Sequence, residues 1–114
     1  MRAPLLTTSM LAVACNADIP PPMISSIFPD HGPPGIQVTI EGNYFCQQPE
    51  SEEEDPLACE NTGTVSFDQQ PAEVLQYLET SIMVTVPEHD AAEVPVVVHV
   101  LGLTSRSVSF TITP

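Results

Sequence analysis

The sequence predicts a single all-β domain, a sandwich of about seven short strands. Apolar and polar residues alternate with a period of two along much of the chain, which is the pattern of strands that bury one side. Clusters of proline, glycine, asparagine and aspartate separate these runs at short intervals. The 114 residues include 13 prolines, which argue against long helices because each lacks a backbone donor and has a fixed φ. A chain of this length has room for one domain.

Seven runs carry the strand pattern. In the clearest, Ile82, Val84 and Val86 alternate with Met83 and Thr85, so that one side enters a core and the other faces water. Aromatic residues make up 5% of the chain and tryptophan is absent, so the core is expected to consist mostly of valine, isoleucine and leucine. The predicted strands span residues 23–28, 36–45, 63–68, 72–77, 80–86, 94–101 and 105–113.

The charge balance is strongly acidic. Fifteen acidic residues stand against Arg2 and Arg106, and the net charge is −13. Such a surface repels phosphate backbones and anionic lipid headgroups, so the sequence argues against nucleic-acid binding and against direct lipid binding. Cations and basic partner surfaces are the favoured counterparts. The alternative is that the charge only keeps the protein soluble.

Residues 1–14 have the features of a secretory signal peptide. Arg2 and the terminal amine form a short basic region, and the stretch up to Ala14 is uncharged and largely apolar. It is too short to span a bilayer. The alternative interpretation of this stretch is a buried first strand.

The run LAVAC, which ends at Cys15, resembles the lipobox of bacterial lipoproteins. The resemblance implies cleavage before Cys15 and acylation of that cysteine, and an ordinary signal peptide with an incidental cysteine is the alternative. Ala12 departs from the leucine that lipoboxes prefer. Residues 15–22 would then be the lipidated cysteine and a proline-rich tether, and Asn16 implies the outer membrane. The expected location is the cell envelope after export across the inner membrane, with the lipid anchor as the membrane attachment.

A family pattern runs through residues 22–45. It has a proline, an isoleucine pair, a Pro-x-x-Gly-Pro turn, a strand and Gly-x-x-Phe, at Pro22, Ile24, Ile27, Pro29, Gly32, Pro33, Gly35, Val38, Ile40, Gly42 and Phe45. This pattern resembles the opening of an IPT/TIG domain, and residues 81–87 are similar to the family strand that closes with Val-Pro. The resemblance implies an immunoglobulin-like β-sandwich over residues 23–114. It implies a fold and a broad role as a module, and no particular ligand.

The prolines and glycines of this pattern have expected structural roles. Pro29 and Pro33 are expected to stiffen a turn between the first two strands, where Gly32 and Gly35 would supply positive φ. Gly42 is expected to let the second strand bend before the following loop.

Residues 46–60 are predicted to be an acidic loop inserted between the second and third strands. Cys46 and Cys59 bracket twelve residues, and in an oxidising compartment they are expected to form a disulfide. Closing such a loop stabilises a protein by about 3 kcal/mol in the chain-entropy model. With Cys15 acylated, all three cysteines are accounted for.

The acidic run inside this loop has three interpretations. Glu52, Glu53, Glu54 and Asp55 are weak candidates for calcium ligands, since hard cations prefer carboxylate oxygens, but their spacing does not match an EF-hand loop. The run could also bind a basic protein partner, or it could simply be a solvated loop tip.

The sequence offers no catalytic constellation. His31, His89 and His99 share no metal-ligand spacing with one another or with the cysteines, and no phosphate-binding glycine loop or nucleophile motif is present. The prediction is therefore a non-enzymatic, surface-anchored lipoprotein, without a cofactor, whose domain is an interaction or structural module bound by an envelope protein.

Two alternatives to this function remain open. They are calcium-dependent adhesion and carbohydrate-associated binding. For the latter, Tyr44, Phe45 and Tyr77 are among the few aromatic residues that could stack on sugars.

Overall fold

The computed structural model describes residues 19–47 and 58–114, and within these ranges every regular element is a β-strand. The strands are β1 (Met23–Phe28), β2 (His31–Gly32), β3 (Gln37–Asn43), β4 (Thr64–Phe67), β5 (Gln70–Pro71), β6 (Glu73–Tyr77), β7 (Ser81–Thr85), β8 (Ala92–Val100), β9 (Leu103–Thr104) and β10 (Val108–Ile112).

The strands form two sheets, which confirms the predicted immunoglobulin-like sandwich. The first sheet has the order β1-β3-β7-β6. The second has the order β2-β10-β8-β4-β5, and β9 pairs with the end of β8 to form a hairpin. All neighbouring strands are antiparallel except β2 and β10, which are parallel.

The core lies between the inward faces of the two sheets. It consists mainly of valine and isoleucine, as the composition predicts, with alternate residues of β3, β7 and β8 fully buried. Phe67 and Phe110 add an edge-to-face aromatic pair with ring centroids 5.3 Å apart. Each buried aliphatic or aromatic side chain of this kind contributes about 1.5–3 kcal/mol to folding.

The prediction of a simple turn between the first two predicted strands is partly wrong. After the cis peptide bond between Phe28 and Pro29, the chain leaves the first sheet and forms β2 in the second sheet. The Thr111 N–H donates to the Asp30 carbonyl (3.0 Å) and the Thr113 N–H donates to the Gly32 carbonyl (2.9 Å). These bonds to β10 favour a short strand over a free turn. Both glycines have positive φ, as expected, with values of 157° at Gly32 and 96° at Gly35.

Gly42 has a role that the sequence did not predict. A Cβ at this position would overlap the carbonyl of Met23 and lie 2.7 Å from the Phe45 ring. Glycine is therefore required because β1 approaches the backbone of β3 closely.

The strand register defines two ends of the sandwich. At one end, which we call the loop end, Met23 lies opposite Asn43, and Thr64 lies opposite His99. This end holds the termini of the acidic loop, the β6–β7 turn and the β8–β9 hairpin. The far end holds residues 29–37, the β4–β5 turn and residues 86–92.

Candidate functional site: the base of the acidic loop

A disulfide joins Cys46 and Cys59, as the sequence predicts, with their Cα atoms 4.9 Å apart. It closes the acidic loop at the point where the chain passes from the first sheet to the second. The proposed calcium ligands at 52–55 lie outside the described residues, and so does Cys15. Their predicted roles therefore stay predictions, whereas the described residues 43–47 and 58–63 form the two stems of the loop.

The β6–β7 turn holds both stems. The Phe45 N–H donates to the Glu79 carbonyl (3.1 Å), and the Cys46 N–H donates to the Glu79 Oε1 (2.9 Å). On the other stem, Ala58 forms an isolated antiparallel bridge with Leu78. The Asn61 side chain donates to the Cys46 carbonyl at 3.4 Å and so links the stems directly.

Tyr77, at the end of β6, forms a second link between the stems. Its hydroxyl donates to the Phe45 carbonyl (2.7 Å), and its ring packs at a tilt against the Phe45 ring with centroids 6.4 Å apart. Burial raises the pKa of Tyr77 to about 12, while the Gly63 N–H lowers it and the Glu79 carboxylate raises it further. The phenol thus stays protonated and contacts Phe45 on one stem and Gly63 on the other.

Gly63 is a glycine because this contact leaves no room for a side chain. A Cβ there would overlap the His99 carbonyl and lie 2.9 Å from the Tyr77 hydroxyl. Neither the tyrosine contact nor the glycine requirement was predicted from the sequence. Tyr77 and Phe45 are 32 residues apart, and no local pattern indicates such a contact.

The segment that precedes β1 enters at the same end. The Gln47 side chain donates to the Pro20 carbonyl and also to the Tyr44 carbonyl (3.0 Å), and Pro22 is buried. The predicted tether and the first stem of the acidic loop therefore lie at the same end of the sandwich, where Gln47 contacts Pro20.

One metal-type cluster lies within the described residues, at this base. The sulfur atoms of Cys46 and Cys59 and a carboxylate oxygen of Glu79 lie within 4.8 Å of one another. Both sulfurs belong to the disulfide, so neither is a thiolate able to ligate a metal. The cluster therefore serves the loop closure, with Glu79 accepting a backbone hydrogen bond.

The histidine side chains form their hydrogen bonds away from this base, although the backbone of His99 lies against Gly63. His31 pairs with Asp30 at 2.9 Å in an exposed position, and this bond lowers the Asp30 pKa. His99 contacts the Thr104 hydroxyl at 2.9 Å on the outer face of the second sheet.

His89 lies in the segment between β7 and β8, and both of its ring nitrogens have a hydrogen-bond partner. Its Nδ1 lies 2.7 Å from the Asp90 carbonyl and its Nε2 lies 2.9 Å from the Asp68 carboxylate. Because both partners are acceptors, both ring nitrogens must carry protons, and the imidazolium is the favoured form. The hydrogen bond to Asp90, followed by that to Asp68, raises the pKa of His89.

The aromatic residues proposed for sugar stacking are mostly inaccessible. Phe45 is fully buried and Tyr77 is 9% exposed, while Tyr44 is half-buried. The exposed aromatic side chain is Phe28, at 78% exposure, which sequence reasoning did not single out. The available signal was the neighbouring Ile27, which packs against the core, since adjacent residues of a strand face opposite sides; Phe28 then lies opposite Thr39 on the outer face.

The described residues include no helix with the length and apolar character needed to cross a membrane.

Comparison with known proteins gives a consistent picture of the fold. The family model described as the IPT/TIG domain matches residues 22–112. The search of curated proteins gave no significant match. Among solved structures, the gamma-CGTase of alkalophilic Bacillus clarkii superposes with a TM-score of 0.66 at 28% identity, covering 81% of this chain and 12% of that chain.

Two structures from Bacteroides thetaiotaomicron share the fold at lower identity. One is a putative phosphatase with a TM-score of 0.51 and 20% identity, and the match covers 83% of this chain and 17% of that chain. The other is an auxiliary nutrient binding protein with a TM-score of 0.56 and 15% identity, covering 83% of this chain and 21% of that chain. This chain spans only a small part of each of the three proteins.

Proposed function

The chain belongs to the IPT/TIG domain family, and from that premise we propose that it is a non-enzymatic lipoprotein of the bacterial cell envelope. Its immunoglobulin-like domain is an interaction module, and the acidic loop between Cys46 and Cys59 is the surface that binds a basic protein partner. Cys15 carries the lipid anchor, and residues 16–22 tether the domain to the membrane.

The observation that carries this proposal is the construction of the loop base. The disulfide, the buried Tyr77 hydroxyl and the Glu79 carboxylate all contact the stems of one polar insertion. A solvated loop tip needs no such support, because a polar loop costs little when it is left free. Fixed stems reduce the entropy that an acidic loop loses when it binds.

Electrostatics supports a basic partner. The loop concentrates acidic residues in a protein with a net charge of −13. Such a potential attracts a basic surface over roughly a Debye length, about 8–10 Å at physiological salt. The binding rate should therefore fall as salt is added.

A non-enzymatic role is supported by the state of the histidines. A general base must be neutral and near its substrate. The raised pKa of His89 and its two acceptor partners favour the charged form, and His31 and His99 are exposed and hydrogen bonded to Asp30 and Thr104.

Crosslinking in the native host tests the binding role. The variant Glu52→Gln/Glu53→Gln/Glu54→Gln/Asp55→Asn removes four charges from the loop and leaves its stems intact. A matched control, Glu41→Gln/Glu73→Gln/Glu88→Gln/Glu93→Gln, removes four charges from exposed positions outside the loop.

We expect the crosslinked partner to be lost with the loop variant and retained with the control. Equal loss in both variants would indicate a general charge effect. Equal retention in both would contradict loop recognition.

The two alternatives receive unequal support. Carbohydrate binding loses Phe45 and Tyr77 as stacking surfaces because both are buried. Calcium-dependent adhesion depends on residues 52–55, and a millimolar calcium titration of thermal stability tests it, since a ligand of the folded state raises the Tm.

A further inference from the structure

The β8–β9 hairpin has an unusual tip. Its two-residue turn consists of Leu101 and Gly102, with φ of 50° and 79°, and two positive values are characteristic of a type I′ turn. The first position of that turn favours asparagine, aspartate or glycine, because a left-handed conformation costs other residues about 1–2 kcal/mol. The β4–β5 turn of the same protein follows the preference, with Asp68 at the first position and φ of 52°.

Leu101 is therefore poorly suited to its turn, and its exposure adds to the cost. The side chain is 64% exposed, and Leu103, on the other side of Gly102, is 38% exposed. An apolar residue in a strained and exposed position indicates contact with another apolar surface.

The start of the domain packs beside this hairpin. Residues 21–24, Thr104 and Arg106 line one cleft of about 460 Å³. Met23, in this cleft, is 51% exposed. Arg106 is exposed, and Arg2 is the only other arginine or lysine of the chain. We call Met23, Leu101, Leu103 and Arg106 the hairpin patch.

We propose that the hairpin patch rests on the headgroup region of the bilayer to which Cys15 anchors the chain, with the leucines inserted and Arg106 at a lipid phosphate. This inference rests on the anchoring part of the proposed function. Cys15 is four residues from Ile19, and four residues span at most about 14 Å. The tether thus holds the patch close to the bilayer, where apolar side chains beside a cation are favoured.

The two stems of the acidic loop contact different parts of the loop end. The first stem contacts the tether, because the Gln47 side chain donates to the Pro20 carbonyl, whereas the second stem bridges to Leu78 beside β6, the opposite edge of the first sheet. Because the net charge of −13 disfavours anionic headgroups, the contact is with zwitterionic headgroups, whose phosphate Arg106 can still reach.

Single-tryptophan reporters test this contact, because the chain has no tryptophan. Leu101→Trp reports from the patch, and Phe28→Trp is the matched control, since Phe28 is also exposed but lies near the far end. Each variant of the full chain is purified from membranes and placed in phosphatidylcholine vesicles with brominated acyl chains. Acrylamide is the aqueous quencher, because it is uncharged and is not repelled by the acidic protein.

We expect the bromolipid to quench the Leu101→Trp reporter, and the vesicles to protect it from acrylamide relative to the Phe28→Trp reporter on the same vesicles. Phe28→Trp should show neither effect. A Leu101→Trp reporter that acrylamide reaches fully on vesicles would overturn the inference. Protection from acrylamide without bromolipid quenching would overturn it too, since that result indicates a protein partner or a second copy on the patch.

Intact mass separates this test from the proposed anchoring. If Cys15 proves not to be acylated, that part of the proposed function fails, and Cys15 is then coupled to a maleimide lipid so that the contact is still measured. A second variant guards against a purely structural role of Leu101. Leu101→Asn should raise the Tm, because asparagine suits the turn, yet it should reduce bromolipid quenching of a Met23→Trp reporter.

Discussion

Replacing Tyr77 by phenylalanine removes one hydroxyl from the loop base and leaves the apolar packing in place. In the folded protein this hydroxyl donates to the Phe45 carbonyl at 2.7 Å and lies near the Gly63 N–H. Phenylalanine keeps the ring contact with Phe45, so the change in stability reports the polar contacts alone.

The expected loss follows from burial. Phe45 is fully buried and Tyr77 is 9% exposed, so water does not readily replace the hydroxyl. A neutral hydrogen bond contributes about 0.5–1.5 kcal/mol, and a buried carbonyl left without its partner costs about 1–3 kcal/mol. We therefore expect Tyr77→Phe to lower the free energy of unfolding by about 2–3 kcal/mol, which for a domain of this size is a Tm decrease of roughly 10–20 °C.

Urea unfolding followed by circular dichroism measures this loss, with the disulfide intact in both proteins. Tyr44→Phe is the control, because Tyr44 is the neighbouring tyrosine and is only half-buried. It should change stability by less than about 0.5 kcal/mol. A loss of similarly small size for Tyr77→Phe would refute the assignment of the tyrosine as a link between the stems.

Three further predictions concern the loop closure, the glycine and the far end. Cys46→Ser/Cys59→Ser should lower the free energy of unfolding by about 3 kcal/mol in urea titrations, and an unchanged midpoint would contradict a stabilising disulfide. Gly63→Ala should strongly lower the stability of the folded protein, because the added Cβ overlaps the His99 carbonyl. Gly102→Ala has open space around its Cβ and should cost only about 1 kcal/mol through its positive φ. Equal decreases in Tm would argue against the clash at Gly63. His89 should stabilise the protein fully below its unfolded pKa of about 6.5, and this contribution should be lost as the pH rises through its raised folded pKa. The Tm difference between the protein and His89→Gln should therefore shrink from about pH 6 upward. A constant difference would show that the imidazolium is not the stabilising form.

Local patterns were sufficient to predict most of the fold. The alternation in β7 and β8 identifies strands because each buries every second side chain, and the structure places both in the sandwich. The disulfide was predictable because two cysteines bracket a polar segment in a chain with a signal-like start. The pairing of β2 with β10 was not predictable, since two residues carry no periodicity and their partner lies near the other end of the chain.

The loop base was only partly predictable for a related reason. Phe45 and Tyr77 were named among the few aromatic residues that could stack on sugars, because an aromatic residue near a loop has no sequence feature that fixes its burial. Their burial depends on packing between β6 and the stem 32 residues earlier. The His89–Asp68 contact is likewise set by two turns that only the folded sheets bring together.

The most direct test of the account is the intact mass of the protein purified from membranes of its native host, measured before and after reduction. We predict a chain that begins at Cys15, carries added acyl mass, and is two hydrogens lighter before reduction because Cys46 and Cys59 are bridged. An unprocessed chain without acyl groups and with no mass change on reduction would contradict both the envelope anchoring and the closed acidic loop.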